Sequence, residues 1–87
     1  MRKYLLIILN EDDDLLDVKI FNTLEDASTA REIIYLFSST SQAYFAYVEI
    51  AQEKYKFYWA GLEGTLNSET LAAVCRVVKE RLALEYR

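Results

Sequence analysis

The sequence predicts an α+β domain in which a mainly antiparallel four-stranded sheet packs against two helices, in the order ββαββα. Three observations lead to this prediction. Two hydrophobic strand-like segments precede a helical pattern over residues 24–37, two aromatic-rich strand segments follow it, and a second helical pattern begins after residue 67. The 87 residues are expected to form one domain, 1–87, because single cores extend to ~100–200 residues and half of this chain would be too small to fold alone.

The first two strands are predicted to form a hairpin. Residues 3–9 are rich in leucine and isoleucine without polar alternation, which is typical of a strand buried on both faces and places it centrally in the sheet. The polar run NEDDD breaks this strand. Residues 17–22 then alternate apolar and polar side chains, as a half-exposed strand returning beside the first would do.

A first helix is predicted over residues 24–37. Thr23 followed by Asp26 resembles a weak capping box, in which the Thr hydroxyl accepts a hydrogen bond from the first turn. Apolar residues recur at helical spacing until SSTS ends the run: Leu24, Ala27, Ala30, Ile34 and Phe37.

A second helix is predicted to begin after Asn67, the candidate N-cap, with Leu66 and Leu71 as the two members of a hydrophobic staple. Its apolar stripe consists of Leu71, Val74, Cys75, Val78 and Leu82. We expect this stripe to face the sheet, with Val74 and Val78 fully buried.

The segment YFAYVEIAQEKYKFYW, residues 44–59, is predicted to form a second hairpin and holds seven of the twelve aromatic residues of the chain. A two-residue turn at Gln52 and Glu53 would place one apolar set on a single face: Ala46, Val48, Ile50, Tyr55, Phe57 and Trp59. A four-residue loop would keep the same parity and stays open as an alternative. A slip by one residue would mix the faces, so the parity is well determined even though Gln-Glu is poor turn chemistry.

The second face of this hairpin is the candidate partner-binding site, and it carries Phe45, Tyr47, Glu49, Lys56 and Tyr58. Glu49 and Lys56 are predicted to be an opposite-charge pair across the two strands. If both helices covered the other face, this one would remain open and would also receive one apolar set of the first strand. That set is either Tyr4, Leu6 and Ile8 or Leu5, Ile7 and Leu9.

The sequence offers no support for catalysis. Histidine, the usual general base and the commonest metal ligand, is absent. Cys75 lies in the middle of the second helix on its apolar stripe, where a small core residue is expected rather than a reactive thiol. We therefore assign no catalytic residue and expect the protein not to be an enzyme.

No metal or cofactor is expected either. Acidic residues 11–14 with Asp17 could supply oxygen ligands, but they lack the spacing of a calcium-binding loop, so a solvated hairpin loop is predicted. Gly61 and Gly64 precede a helix in AGLEGTLN, without the third glycine or the Lys-Ser or Lys-Thr of phosphate-binding loops. A structural turn explains both glycines through positive φ or close approach.

Charge and hydropathy limit which cellular compartments and which classes of partner are expected for this protein. The net charge of −4 argues against duplex DNA as a partner, since phosphate binders usually carry a basic surplus. Residues 10–32 hold eight acidic and two basic residues, and residues 76–87 hold two acidic and four basic, an asymmetry that could steer docking. The apolar run YLLIIL is shorter than a signal or membrane segment, and a single cysteine suits a reducing compartment. We expect an unprocessed cytoplasmic protein.

Three interpretations of the second face stay open: a protein interface, ordinary cover by a helix or loop, and a surface for RNA or single-stranded DNA. Aromatic residues interleaved with lysine can stack bases, but only two lysines occur in this segment. Because five or six apolar side chains on an open face exceed what a monomer usually exposes, we expect a homodimer or a heteromeric contact. The predicted function is a protein-interaction module, such as a small bacterial or phage regulator or inhibitor that occludes a partner surface.

Overall fold

The computed structural model describes residues 1–85, with the backbone alone at residue 85. Arg87, one of the bases of the predicted basic end, lies outside the described residues. The elements in chain order are β1 (Arg2–Leu9), β2 (Leu15–Phe21), α1 (Leu24–Phe37), β3 (Gln42–Ala51), β4 (Lys54–Tyr58), a 3₁₀ turn (Leu62–Gly64) and α2 (Ser68–Glu85). The four strands form one antiparallel sheet, so the predicted α+β class and the order ββαββα are confirmed.

The strand order in the sheet is β2-β1-β3-β4, which places β1 between two neighbours. Its side chains from Leu5 to Leu9 are buried on both faces, as predicted from the unbroken apolar run. We call the two ends of the sheet the Arg2 end, where Arg2 pairs with Glu49, and the Leu9 end, where Leu9 pairs with Gln42. The second hairpin has the predicted register and two-residue turn, with Ile50 opposite Tyr55.

One face of the sheet packs against α2. The described residues buried in this core include Leu5, Ile7, Leu9, Val18, Ala46, Val48, Leu62, Leu66, Val74, Val78 and Leu82. Val74, Val78 and Leu82 are fully buried, as expected for three of the five stripe residues, whereas Leu71 and Cys75 are only half-buried. Asn67 is the N-cap, because its Oδ1 accepts a hydrogen bond from the backbone N–H of Thr70 at 2.7 Å.

The other face of the sheet packs against α1, so the two helices lie on opposite faces. The second core contains Leu6, Ile8 and Ala43, with Ala30 and Ile34 of α1 against it. The arrangement in which both helices share one face, and the second face is wholly open, is therefore not the one found. The physical reason is that β1 presents apolar side chains on both faces, and each face needs cover.

The two terminal apolar residues of α1 do not pack into the core. Ala27 is fully buried, but Leu24 is 51% exposed and Phe37 is 86% exposed. Of the five apolar residues at helical spacing, the first and the last are therefore exposed. Thr23 caps the helix as predicted, since its Oγ1 accepts from the backbone N–H of Asp26 at 3.1 Å.

Three turns of the described chain use left-handed backbone, at Asp13 in the first hairpin, at Gln52 and Glu53 in the second, and at Ala60 and Gly61 before the 3₁₀ turn. Gln52 and Glu53 have φ of 52° and 65°, the geometry of a type I′ turn made without glycine or asparagine. Gly61 has φ of 86°, which explains its presence. Gly64 has no positive φ, and a methyl group added to its Cα would meet no neighbour within 4 Å, so the structural reason predicted for it is wrong.

Candidate protein interface

The helix α1 crosses its face of the sheet diagonally. It begins three residues after Phe21, which pairs with Tyr4 near the Arg2 end, and near its own end the Tyr35 hydroxyl bonds to the backbone of Ala43 in β3. The corner formed by β3 and β4 at the Arg2 end therefore stays uncovered. We call it the corner notch: its floor is Arg2, Tyr4, Tyr47, Glu49, Lys56 and Tyr58, and its wall is α1.

Three tyrosines form a row across the floor of the notch, because the register places them side by side on three adjacent strands. Tyr4 pairs with Tyr47, and Tyr47 pairs with Tyr58. The rings of Tyr47 and Tyr58 are stacked, with centroids 4.6 Å apart and planes 14° apart, whereas Tyr4 and Tyr47 are tilted with centroids 6.3 Å apart. The stacking distance matches the spacing of neighbouring strands, so these two rings stand on edge with their faces toward each other.

The faces of the Tyr47 ring are therefore occupied. Tyr58 approaches from β4, and the guanidinium of Arg2 lies over the ring at 4.4 Å from its centroid, approaching from β1 on the opposite side. Lys56 Nζ lies 5.2 Å from the centroid of the Tyr58 ring. Such cation–π contacts hold both cations close to the tyrosines. What the notch presents outward is a set of ring edges, hydroxyl groups and two cations.

A charged row lies beside the tyrosines, with Arg2, Glu49 and Lys56 on adjacent strands. Glu49 and Lys56 are cross-strand neighbours as predicted, but the carboxylate of Glu49 pairs with Arg2 at 2.5 Å, an ion pair that was not predicted from the sequence. That hydrogen bond to Glu49, followed by one to Tyr4, raises the pKa of Arg2 above its usual value. Arg2 pairs with Glu49 along the backbone as well, which brings the guanidinium within reach.

The wall of the notch is the flank of α1, anchored on Phe45 and Ala43. The guanidinium of Arg31 lies 4.8 Å from the centroid of the Phe45 ring, and Arg31 Nε donates to the Tyr35 hydroxyl at 3.2 Å. The same hydroxyl donates to the carbonyl of Ala43 at 3.1 Å and accepts from its N–H. Although burial raises the pKa of Tyr35, the bonds to Arg31 and to Ala43 outweigh it and lower the pKa overall.

Two shallow grooves follow the junction between floor and wall. One, of about 310 Å³, is lined by Arg2, Tyr4, Leu24, Phe45, Ala46, Tyr47 and Ala60. The second, of about 320 Å³, is lined by Ser28, Arg31, Glu32, Tyr35 and Phe45. Phe45 borders both grooves.

The five residues predicted to bind a partner lie on this one face, but they are not equivalent. Tyr47, Glu49, Lys56 and Tyr58 lie together in the notch floor, while Phe45 lies at the foot of the wall beneath Arg31. From the sequence Tyr4 was one of two options for this face, and the places of Arg2, Leu24 and Arg31 were not predicted. An Arg at the start of an apolar strand carries no local signal, because its role depends on which strand becomes the neighbour of β1.

The other sequence candidates lie away from the notch. Cys75 is half-buried on α2, and burial raises the pKa of its thiol. The acidic loop is a hairpin turn closed by Asn10, whose Oδ1 accepts from the backbone N–H groups of Asp12 and Asp14. Among the side chains that the structure describes, no three from His, Cys, Asp or Glu converge as a metal site would require.

The helices of the described chain are too short or too polar to cross a lipid bilayer. Comparison of the chain with known proteins finds no matching family model, no matching curated protein and no matching solved structure.

Proposed function

We propose that the protein is a non-enzymatic interaction module that binds a protein partner through the corner notch. The observation that carries this proposal is that α1 covers only part of its face and leaves a row of three half-buried tyrosines on adjacent strands without a helix over them. Tyrosine and arginine are enriched at protein interfaces, since their rings and stems bury apolar area while a polar tip stays hydrated. The residues proposed to bind are Phe45, Tyr47, Glu49, Lys56 and Tyr58, together with Arg2 and Tyr4.

The chemistry of the notch indicates what kind of partner fits. Arg2 and Lys56 outnumber Glu49 on its floor, so an acidic surface complements it better than a basic one. A helix wall beside a sheet floor suits a rod-shaped element, and helices that lie in grooves are a common recognition mode. The proposed partner element is an acidic amphipathic helix. By binding such a helix, a protein of this size would act as a cytoplasmic regulator or inhibitor that occludes a partner surface.

Binding of single-stranded RNA or DNA is the alternative from sequence, and the ring geometry favours the protein partner over it. Base stacking needs ring faces that lie open on the sheet. The two rings closest to each other here are stacked face to face, and Arg2 lies over Tyr47. A base would have to displace one of these groups before it could stack.

The test is affinity capture from extract of the source organism with three forms of the protein, with captured proteins identified by mass spectrometry. The forms are the unmodified chain, Tyr58→Ala, and the double variant Tyr47→Glu with Tyr58→Glu. Leu84→Glu, on the opposite side of the molecule and 66% exposed, is the matched control. We expect a protein that the control retains and that both notch variants lose, with circular dichroism confirming that each variant is folded.

Two results would overturn the proposal. One is a captured protein that Tyr58→Ala and the double variant retain as well as the control does. The other is binding of a fluorescent oligo-uridine or oligo-thymidine at low salt that weakens steeply as salt rises, since that salt dependence is typical of phosphate contacts. In the second case the notch would be a nucleic-acid surface.

A further inference from the structure

The outward side of α1 carries a stripe opposite in charge to the notch. Glu25, Thr29, Glu32 and Leu36 lie at i, i+4, i+7 and i+11, so they share one side of the helix. All four are exposed, and Leu36 is 80% exposed. We call these four residues the outer stripe. It has two carboxylates and one large apolar side chain, and no base.

The notch floor has the complementary composition. Two cations, Arg2 and Lys56, lie there with one carboxylate, and Arg2 already pairs with that carboxylate. The apolar part of the floor is the tyrosine row, half-buried in the isolated chain. An acidic helix bearing a leucine is therefore the element this floor suits, and the chain itself carries such a helix.

The dimensions also agree. Helix α1 lies on the sheet and rises above it by the thickness of one helix, which is about 10 Å with side chains. The uncovered corner beside it is consequently as deep as a helix is wide. A second α1 laid beside the first would fill the corner and bring its outer stripe against the floor. Two flat sheets could not stack directly there, because α1 holds them apart.

We propose that a second copy of this chain is the first partner of the notch, with α1 of each protomer lying in the notch of the other about a two-fold axis. This inference rests on the proposed function, because it names the occupant of the same surface. Each copy supplies both a floor and a helix, so one contact is made twice, as two-fold symmetry requires. The assembly is a layer of two parallel helices between two sheets, with the two-fold axis running between the helices along their direction.

The expected dimer is weak and reversible. A helix of fourteen residues is about 21 Å long, so two such contacts give an interface at the small end of specific complexes, where dissociation constants on the order of micromolar are common. A protein with a better acidic helix would compete for the notch. Self-association would then hold the notch closed until that partner is present.

The test is sedimentation velocity over a wide concentration range with two charge-reversal variants. One reverses the stripe, Glu25→Lys with Glu32→Lys, and the other reverses the floor, Lys56→Glu. Each variant alone should associate about tenfold more weakly than the unmodified chain, because like charges then meet in both contacts. Mixed together they should recover association, since the basic stripe meets the acidic floor in one contact and the other contact is unmodified.

A matched control reverses two exposed charges on α2, Glu69→Lys with Lys79→Glu, and should leave association unchanged. A chain that stays monomeric throughout the concentration series would overturn the dimer. So would a dimer whose dissociation constant neither charge reversal changes, or a mixture of the two variants that associates no more strongly than each variant alone. If the chain is monomeric but Tyr58→Ala still loses its captured protein, the proposed function stands and only the second copy is wrong. If the chain is monomeric and Tyr58→Ala also retains every captured protein, the notch binds neither a second copy nor a protein partner.

Discussion

The two faces of the sheet differ in how completely a helix covers them. On one face α2, eighteen residues long, buries Val74, Val78 and Leu82 against the strands. On the other face α1, fourteen residues long, has only Ala27 fully buried and leaves a corner open. The comparison shows that a helix with the right period can still leave part of a sheet face uncovered, because the length and direction of the contact decide the coverage.

The chemistry of the side chains follows this difference. The face under α2 is aliphatic where it is deepest, whereas the open corner is built from tyrosines, Arg2, Glu49 and Lys56. Tyrosine and the long charged side chains keep a polar end in water while their stems cover apolar area. The open corner is therefore stable in an isolated chain, and it still holds apolar area that a partner can bury.

The largest expected effect is on the closed face. Val78→Asp should prevent folding, because an unpaired carboxylate at a fully buried position costs several kcal/mol, a large part of the ~5–10 kcal/mol that stabilises a domain of this kind. Leu36→Asp makes the same kind of change on the exposed side of α1 and should alter the melting temperature little. Thermal melts followed by circular dichroism compare the two. A soluble, cooperatively melting Val78→Asp protein would contradict the assignment of the closed face.

A smaller effect is expected where α1 is anchored at the Leu9 end. Tyr35→Phe removes the hydroxyl that bonds to both backbone groups of buried Ala43, and should lower the free energy of unfolding by ~1–2 kcal/mol. Tyr44→Phe removes an exposed hydroxyl that donates only to Gln42, and should cost no more than about 0.5 kcal/mol. Urea denaturation measures both. Equal effects would show that the hydroxyl of Tyr35 does not hold α1 in place.

The turn at Gln52 and Glu53 sets which residues of β3 and β4 share a face, and a substitution there should make the turn more stable. Glu53→Gly should raise the free energy of unfolding by ~0.5–1 kcal/mol, because glycine adopts the φ of 65° found there without the strain of a Cβ. Glu63→Gly, in the 3₁₀ turn where no positive φ occurs, is the control and should give no gain. A loss at both positions in denaturant titrations would contradict the left-handed turn.

The smallest effect is expected at the edge strand β2, where a side chain of α2 bonds to the strand. Arg81 donates to the Asp17 carboxylate and to the carbonyl of Val18. Burial raises the pKa of Asp17, but the hydrogen bonds from Arg81 and from the Val18 N–H lower the pKa by more. The net pKa is therefore below the usual value. A carboxyl group with a lowered pKa contributes stability above its unfolded pKa, and this contribution is lost as the pH falls through the folded pKa.

The unmodified chain should therefore be more stable than Asp17→Asn at neutral pH, and the difference should vanish in acid, below the usual range of a carboxyl pKa. The pair is largely exposed, so solvent screening limits the difference to ~0.2–1 kcal/mol. Asp12→Asn in the hairpin loop controls for the loss of a negative charge. A difference between the unmodified chain and Asp17→Asn that persists unchanged into acid would show that the effect is not ionic.

Much of the fold could be predicted because its signals are local. The bounds of α1, the Asn67 cap and the register of the second hairpin each depend on spacing within one segment. Half of the candidate site was predictable for the same reason, since the alternation in residues 44–59 places Tyr47 and Tyr58 on one face. The partner of Glu49 was not predictable, because Arg2 is 47 residues away and reaches it only when β1 and β3 are neighbours.

The sequence by itself determined the elements, their order and which side chains share a face, because periods of 2.0 and 3.6 residues follow from backbone geometry alone. It did not determine the strand order β2-β1-β3-β4 or the face that each helix covers. β1 is apolar on both sides and accepts a helix on either, so only the packing of α1 across Leu6, Ile8 and Ala43 decided the matter. That diagonal crossing also decided which corner stays open, since the cover of a face depends on contacts between segments far apart in the chain.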